Sequence, residues 1–553
     1  MKIVGTTIQT DGDEKLTFGD FNVFIGGNGV GKTTFLIELF SKATGIQREK
    51  SYWVNNPEYS TGNLKDDMTL IKSSLAKKYE GANLFYYSRA IKDKAGNVDL
   101  SEIYRFTYTE FANIDTQTDE SIINTVKYRR PFISFDSCEA RLSLQDEVDI
   151  TGLDQPPQDS INVLYRNKKL LKDIDKTIFE RFESKFILLD HTKKKLILGL
   201  AKEDAPTFDS NAENAQDEFE RIQKWKNEKF TILSDSGHGI RSMIRLLTNL
   251  LEPVNQIIMI DEPEMHLYPA QKRWLGKQLV NLAVKQKKQV FLVTHDPMIL
   301  QGILDANMVT HVFHVKRDEN NKGTIDTCKL TKNDDANAMV NQDQYLQGLF
   351  YQRCIVVEGA SDRSFYQNMF EEYPELSDKD VGFVSCSGKN NTKHMASITS
   401  KVHLSASFIY DFDVILFDTQ LIKDIYKTLG GTDEPFSNLE NLLEADETVK
   451  ATSDQKEKTE TIKKLVGFNK GKGAVTSKWA QNNKNIFDEL IKKLSNVGIF
   501  IVPNGNLESW AKDVEPKGRF ADLAPAVIKH NPSLKKEFDD FSSNILKYLK
   551  CVE

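Results

Sequence analysis

The feature that most constrains the fold is a glycine-rich segment near the start of the chain, residues 26–34, which reads GGNGVGKTT. It fits the phosphate-loop pattern G-x-x-x-x-G-K-[ST]. The apolar residues 23–25 precede it, and the helix-like run 35–40 follows it. Glycines let backbone N–H groups surround phosphate oxygens at the positive end of a helix. The strand–loop–helix order therefore predicts binding of a nucleoside triphosphate.

The polar side chains of this loop have expected roles. Lys32 should reach the β- and γ-phosphates, and the Thr33 hydroxyl should hold Mg²⁺. The loop residues predicted to bind the nucleotide are Gly26, Asn28, Gly29, Gly31, Lys32, Thr33 and Thr34.

Length and composition narrow the class of protein. A chain of 553 residues is too long for one core, so roughly two to four domains are expected. No apolar run approaches the ~20 residues that span a bilayer, so we expect no membrane association. The five cysteines are scattered without a C-x-x-C pair, which argues against a zinc site and fits a reducing cytoplasm. The net charge of −7 gives no sign of nucleic-acid binding, although a local basic groove is compatible with it.

Two later strands end in chemically active side chains. The apolar run 257–260 ends in Asp261 and Glu262, which is the Walker B pattern of a buried parallel strand. Asp261 should position Mg²⁺, and Glu262 should polarise the attacking water. The apolar run 289–293 leads to His295, which we predict to contact the γ-phosphate or the attacking water.

A second group of carboxylates follows in the last third of the chain. Residues 354–357 form an apolar strand ending in Glu358, and Asp362 comes four positions later. Residues 408–413 read as a strand ending in D-x-D, and strand alternation would put Asp411 and Asp413 on one face. Asp418 is the competing choice for this strand.

Two further apolar segments complete this sheet. Residues 381–384 lead to a glycine turn at 387–390, and residues 498–502 lead to Glu508. Four strands with helices between them predict a small parallel sheet with acids at one edge. Such acids repel one another unless metal neutralises them, so a Mg²⁺ or Mn²⁺ site is expected. Two ions would suit phosphodiester hydrolysis. The predicted ligands are Glu358, Asp362, Asp411, Asp413 and Glu508, and the predicted catalytic residues there are Glu358, Asp411 and Asp413.

The nucleotide motifs resemble those of ATP-binding-cassette (ABC) ATPases of the SMC and RecF-like branch. In that family a serine–glycine signature on one protomer closes over ATP held by the other. The candidate is residues 233–239, LSDSGHG, which departs from the family's LSGGQ. Ser236 with Gly237 has the best spacing to the amphipathic helix at 240–251. The resemblance implies a homodimer or larger assembly through this domain.

The carboxylate order in the last third resembles a Toprim domain, and the two domains in one chain resemble the overcoming-lysogenization-defect (OLD) family. The resemblance implies an α/β fold: an ABC-type ATPase domain at 1–345, interrupted at about 50–225, and a Toprim domain at 346–553 with a lysine-rich insertion at about 420–495. It implies ATP-controlled, Mg²⁺-dependent cutting of DNA, often in defence against phage, sometimes with a helicase or retron reverse transcriptase partner. The family's Toprim lysine would be Lys512 or Lys517.

Two alternatives remain open in the sequence. The lysines of the insertion, including Lys470 and Lys472, fit either a DNA-binding surface or a solvated helical face, because acids are mixed among them. The second alternative is a DNA-bridging or repair ATPase of the SMC and RecF type, in which the Toprim-like half only binds. The complete set of acids favours the nuclease.

Overall fold

The computed structural model divides the chain into two compact units. The N-terminal unit comprises Met1–Ile325 and Lys329–Lys332, and the C-terminal unit comprises Asp326–Cys328 and Asn333–Glu553. The predicted boundary at residue 345 lies outside the described residues and stays a prediction. The residues described are 1–8, 14–46, 51–60, 64–80, 83–87, 105–118, 121, 124–142, 146–152, 157, 159–190, 194–206, 215–317, 323–331, 346–432, 434–452, 454–467, 477–503, 505–515 and 517–551.

The N-terminal unit is built around one mixed sheet and several small antiparallel ones. Its strands are β1 Lys2–Thr7, β2 Lys15–Thr17, β3 Phe21–Ile25, β4 Glu58–Ser60, β5 Ala76–Glu80, β6 Asn83–Tyr87, β7 Arg105–Thr107, β8 Ile133–Asp136, β9 Glu147–Asp149, β10 Lys185–Asp190, β11 Lys195–Ala201, β12 Phe230–Ile232, β13 Ile257–Asp261, β14 Gln289–Val293, β15 Thr310–Arg317 and β16 Gly323–Leu330.

The large sheet has six strands in the order β16-β15-β3-β14-β13-β8. The strands from β15 to β8 pair in parallel. β3 and β14 are buried at every position, and β13 at all but the last, because helices cover both faces of a parallel sheet. The carboxyl ends of β3, β13 and β14 therefore meet at one edge, where ligands bind in such sheets.

Helices and short 3-10 turns connect these strands. The α-helices are Lys32–Thr44, Leu64–Ser74, Tyr108–Ala112, Val126–Arg129, Cys138–Leu142, Ser160–Arg166, Lys168–Phe182, Ala215–Lys229, His238–Leu251, Pro269–Lys285 and Pro297–Asp305, and the 3-10 helices are Ile114–Thr116, Arg130–Phe132 and Leu233–Asp235.

The C-terminal unit contains a four-stranded sheet in the order β18-β17-β19-β20, with every pair parallel. The predicted small parallel sheet is therefore confirmed. Its strands are β17 Arg353–Val357, β18 Val381–Ser385, β19 Ser405–Tyr410 and β20 Ile499–Ile501. Its α-helices are Ala360–Phe370, Pro374–Asp378, Lys389–Lys401, Asp413–Phe417, Thr419–Thr428, Glu434–Glu444, Glu447–Ala451, Gln455–Leu465, Lys478–Asn482, Lys484–Ser495, Phe520–His530 and Pro532–Tyr548, with 3-10 helices at Leu507–Ala511 and Lys517–Arg519.

The D-x-D strand is shorter than predicted. β19 ends at Tyr410, Phe412 already has helical φ and ψ of −56° and −31°, and Asp413 begins the helix Asp413–Phe417. The argument that strand alternation places Asp411 and Asp413 on one face was therefore wrong. The bend occurs because the apolar residues after Asp413 bury themselves as a helix.

The lysine-rich region between β19 and β20 consists mainly of helices joined by turns in the part that the structure describes. Lys470 and Lys472 lie outside the described residues, so the DNA-binding reading of these two lysines stays a prediction. Across the described part of the chain, no helix combines the length and apolar character needed to cross a bilayer.

Candidate functional sites

The phosphate loop links the carboxyl end of β3 to the helix Lys32–Thr44, as predicted. Gly26 and Gly31 have φ of 139° and 106°, which side chains rarely adopt. A Cβ atom on Gly26 would also lie 2.3 Å from the Val315 carbonyl oxygen, and one on Gly31 would lie 2.9 Å from the Trp53 ring. Both positions therefore require glycine. The Lys32 ammonium is buried and donates to the carbonyls of Gly26 and Gly27, at 3.0 and 2.7 Å.

The helix that follows the loop carries a buried carboxylate that fastens a neighbouring segment. Glu38 is 1% exposed and accepts the backbone N–H groups of Tyr52, Trp53 and Val54 at 2.8–3.2 Å. These bonds hold Trp53 where its ring packs against Gly31. Sequence reasoning missed this contact, because neither residue belongs to the phosphate-loop pattern.

The two predicted Mg²⁺ ligands of the nucleotide site lie side by side. The Thr33 hydroxyl donates to Asp261 Oδ1 at 2.9 Å. Burial raises the pKa of Asp261, and the neighbouring Glu262 charge raises it further, while the Thr33 hydrogen bond lowers it. A hydroxyl and a carboxylate in contact at the end of two parallel strands can share one divalent cation.

The predicted water-polarising glutamate and the predicted histidine also meet. His295 Nδ1 lies 3.2 Å from Glu262 Oε1 and 3.3 Å from Glu264 Oε1. Glu264 is 2% exposed and accepts from the Thr294 hydroxyl at 2.6 Å and from the His295 N–H at 2.9 Å. Glu264 lies in the Walker B segment but was not selected as a site residue. Its contacts show that it orients the histidine.

The predicted signature residues lie at the start of a helix. Ser236 ends the 3-10 helix Leu233–Asp235, and Gly237 is the N-cap of the helix His238–Leu251. The Ser236 hydroxyl oxygen is buried and has no hydrogen-bond partner among the described residues. Gly237 is exposed. Their part in binding a nucleotide held by another protomer stays a prediction.

In the C-terminal unit, the predicted acids come from five elements at the carboxyl edge of the sheet. Glu358 follows β17, and Asp362 lies in the first turn of the helix Ala360–Phe370. Asp411 follows β19, Asp413 begins the next helix, and Glu508 lies in the 3-10 helix Leu507–Ala511.

Burial and mutual repulsion give these acids unusual proton affinities. Burial raises the pKa of Glu358 to about 7, with Asp362, Asp418 and Asp413 raising it further and Lys389 lowering it. Burial also raises the pKa of Asp411 to about 8, with added repulsion from Glu358 and other acids of the group. These interactions bring the five predicted acids into one electrostatic group. They are not gathered as ligands, since no three His, Cys, Asp or Glu side chains in the described ranges form a set that could hold a metal ion.

Asp362 and the neighbouring Asp418 each have a partner within the unit. Asp362 Oδ2 accepts the Gly359 N–H at 3.0 Å, which caps its helix. Asp418 pairs with the Lys389 ammonium. Lys389 follows the turn at Ser387 and Gly388, whose N–H donates to the Glu358 carbonyl at 2.7 Å.

Sequence reasoning noted this turn but gave Lys389 no role. It instead named Lys512, which is exposed, and Lys517, whose side chain lies outside the described residues. The sequence did contain a signal for Lys389: it directly follows a glycine turn, and an earlier strand of the sheet, β17, leads to an acidic residue, Glu358.

Comparisons with known families cover both units. A family model described as an AAA ATPase domain matches residues 41–300. This match begins after the phosphate loop and includes Asp261, Glu262 and His295. A second model, described as the Toprim domain of overcoming-lysogenization-defect-like proteins, matches residues 349–413. It includes Glu358 and Asp413 but ends before Glu508.

The relatives carry the same family name at low identity. The OLD nuclease of Thermus scotoductus is 24% identical over 213 residues, covering 35% of this chain and 38% of that protein. The Old nuclease of Escherichia phage P2 is 23% identical over 302 residues, covering 50% of this chain and 49% of that protein. The matched part of this chain thus spans half or less of each relative's length.

A solved structure of an SMC head bound to the C-terminal winged-helix domain of ScpA also resembles this chain. It is 12% identical, covers 60% of this chain and all of that one, and has a TM-score of 0.32, which is too low to support a conclusion. The two domain matches and the two named relatives point to the same family. The chain combines an AAA ATPase domain with an OLD-like Toprim domain and is similar over part of its length to OLD nucleases.

Proposed function

We propose that the N-terminal unit binds and hydrolyses ATP and that the C-terminal unit cuts phosphodiester bonds in DNA with Mg²⁺ or Mn²⁺. Nucleotide binding would control the cutting. The family relationship makes defence of a bacterial cell against phage the expected setting, in the cytoplasm. The observation that carries the proposal is the group of five acids at one edge of the C-terminal sheet, in which the pKa of Glu358 is raised to about 7 and that of Asp411 to about 8.

The donor set of this group suits a hard divalent cation. All five side chains offer carboxylate oxygens, the ligands that Mg²⁺ and Mn²⁺ prefer. A bound cation would relieve the repulsion that raises the pKa values of Glu358 and Asp411. No three of these side chains form a ready ligand set among the described residues, so Glu358, Asp411, Asp413 and Glu508 would have to move closer together to hold the metal. Asp362 would join them through the oxygen that does not cap its helix. When bound, the ions supply an activated water and stabilise the leaving oxygen.

In the N-terminal unit the protein's own residues divide the work. Lys32 would exchange its loop carbonyls for phosphate oxygens, and Thr33 with Asp261 would hold the Mg²⁺ that accompanies ATP. Glu262 would orient the attacking water, and His295 would contact the γ-phosphate while Glu264 holds its ring. The exposed Gly237 beside Ser236 supports a homodimer in which each signature faces the other protomer's nucleotide.

The test is cleavage of supercoiled plasmid with Mg²⁺ or Mn²⁺, with and without ATP. It compares the wild type, Asp413→Ala, Lys32→Ala and the exposed-acid control Asp488→Asn. Loss of cutting in Asp413→Ala but not in Asp488→Asn would support the metal nuclease, and Lys32→Ala would show how ATP controls it. Absence of cutting in every condition, beside normal ATP hydrolysis, would overturn the nuclease and favour a DNA-bridging ATPase.

A further inference from the structure

The backbone of the predicted catalytic glutamate is held in an unfavourable conformation. Glu262 has φ of +48°, in the left-handed region that residues other than glycine seldom adopt. Its N–H donates to the Val293 carbonyl at 2.9 Å, which fixes one side of the residue to β14. Such a conformation persists only where surrounding contacts impose it, so the other side of Glu262 must be held as well.

A fully buried arginine provides that second contact. Arg141, in the helix Cys138–Leu142, is 0% exposed. Its Nη2 donates to the carbonyl oxygen of Asp261 at 2.8 Å and to that of Glu262 at 2.6 Å. One guanidinium nitrogen therefore binds the carbonyls before and after the Glu262 α-carbon, and the planar group leaves a second nitrogen for another acceptor.

The arginine is in turn connected to the helix that follows the signature. Its Nη1 donates to the Asp136 carbonyl at 3.1 Å and lies 3.5 Å from Asp136 Oδ1. The other carboxylate oxygen of Asp136 accepts from the side-chain amide of Asn249. Asn249 lies in the helix His238–Leu251, which begins directly after Ser236 and Gly237. Hydrogen bonds thus run without a break from the signature helix to Glu262.

We propose that Arg141 is a positioning residue for ATP hydrolysis. It holds Glu262 in the left-handed conformation that aims its carboxylate toward His295. The bonds from Asn249 through Asp136 to Arg141 make that position depend on the signature helix. Docking of a second protomer on Ser236 and Gly237 would then change the position of Glu262. This inference rests on the proposed ATPase function.

A purely structural role for Arg141 makes a different prediction. An arginine that only stabilises the carboxyl end of β13 would affect the stability of the fold, or nucleotide binding through Asp261. It would leave the rate of hydrolysis unchanged. A positioning residue instead lowers kcat while KM and nucleotide affinity stay as they were. Steady-state kinetics, together with measured binding of a fluorescent ATP analogue, distinguish the two roles.

The experiment uses the full chain with Arg141→Lys, Asn249→Ala and the double variant. Lysine keeps the charge but cannot bind two carbonyls and Asp136 at once. We expect kcat to fall about 100-fold in Arg141→Lys, because a small misplacement of a catalytic group has effects of this size. Asn249→Ala should lose about tenfold, and the double variant should lose no more than Arg141→Lys alone, because both residues act in one network.

Arg129→Lys is the matched control. Arg129 is also a buried arginine, donating to a backbone carbonyl, that of Ala43, at 3.3 Å. This variant should keep the wild-type kcat. An unchanged kcat in Arg141→Lys, or a rise in KM alone, would overturn the inference.

Two further outcomes are decisive. If Arg141→Lys fails to fold, the half-buried Asn249→Ala decides, since it keeps all the bonds that Arg141 makes to Asp261 and Glu262. A lowered kcat at unchanged KM supports the proposal, and a wild-type kcat overturns it. A wild-type chain that binds ATP without hydrolysing it would overturn the proposed ATPase, and the inference with it.

Discussion

Hydrogen-bond donors of the protein hold the acids at the sheet edge of the N-terminal unit, whereas burial and mutual repulsion dominate at Glu358 and Asp411 of the C-terminal unit. Asp261 receives the Thr33 hydroxyl, and Glu264 receives Thr294 and the His295 N–H. Burial and neighbouring carboxylates dominate the environment of Glu358 and Asp411, and only the Lys389 charge offsets them at Glu358. The first arrangement is set in advance by hydrogen bonds. The second stores unfavourable electrostatic energy that a cation would release.

The largest expected effect tests the C-terminal group. Asp411→Asn should lower DNA cleavage roughly 1000-fold, because it removes a carboxylate from the predicted metal site. Asp418→Asn should lower it less than about tenfold, because Asp418 is paired with Lys389. Plasmid cleavage at saturating Mn²⁺ measures both, and ATP hydrolysis should be unchanged in each. Equal losses of DNA cleavage in the two variants would mean that Asp418 also belongs to the metal site.

The next effect tests the hydrogen-bonded group. Glu262→Gln should lower ATP hydrolysis by about 10²–10⁴-fold, the usual contribution of a general base. ATP affinity should stay within about threefold, since Thr33, Asp261 and Lys32 are untouched. The control is Glu228→Gln, an exposed acid of the same unit. A loss of affinity equal to the loss of rate would mean that Glu262 holds the nucleotide rather than the water.

A smaller effect separates the candidate lysines. Lys389→Ala should weaken DNA binding and reduce the slope of log affinity against log salt by about one, the value for a single phosphate contact. Fluorescence anisotropy with a DNA duplex at several salt concentrations measures this. Lys512→Ala is the matched comparison, because Lys512 is one of the two lysines that the family resemblance offered. A change in the salt slope for Lys512→Ala but not for Lys389→Ala would mean that Lys389 does not contact the DNA.

The smallest effect is on stability and depends on pH. Both Glu358 and Asp411 have a raised pKa in the folded protein, about 7 and about 8. Below about pH 4 both carboxyls are protonated whether the chain is folded or not. Between about pH 4 and pH 8 the folded state holds protons that the unfolded chain has released, so stability falls as pH rises.

We therefore expect Mg²⁺ or Mn²⁺ to raise the Tm of the C-terminal transition more at pH 8 than at pH 5.5, by about 3 °C or more. Differential scanning calorimetry of the full chain measures this difference. Asp411→Asn should shrink it, because the amide carries no charge to neutralise. A metal effect that is equal at both pH values would mean that the acids do not form a cation site.

Much of both sites could be predicted because their chemistry lies in short segments. The phosphate loop, the Asp261–Glu262 strand end and His295 each follow an apolar run, and parallel strands bring such ends together. Thr33 and Asp261 are consequently in contact although 228 positions separate them. Asp411 and Asp413 were also predicted, but the strand argument that paired them was wrong, since a helix rather than a strand carries Asp413.

The sequence by itself determined which residues are candidates for the chemistry, because motif spacing and apolar runs are local properties. Only the tertiary structure decided what holds them. Arg141 lies 121 positions from Glu262 in the chain. It comes close to Glu262 because it follows β8, which is the neighbour of β13 in the folded sheet. Lys389 pairs with Asp418 although the helix Lys389–Lys401, β19 and the helix Asp413–Phe417 separate the two residues in the chain. Such contacts depend on which elements become neighbours, and no local pattern of residues records that choice.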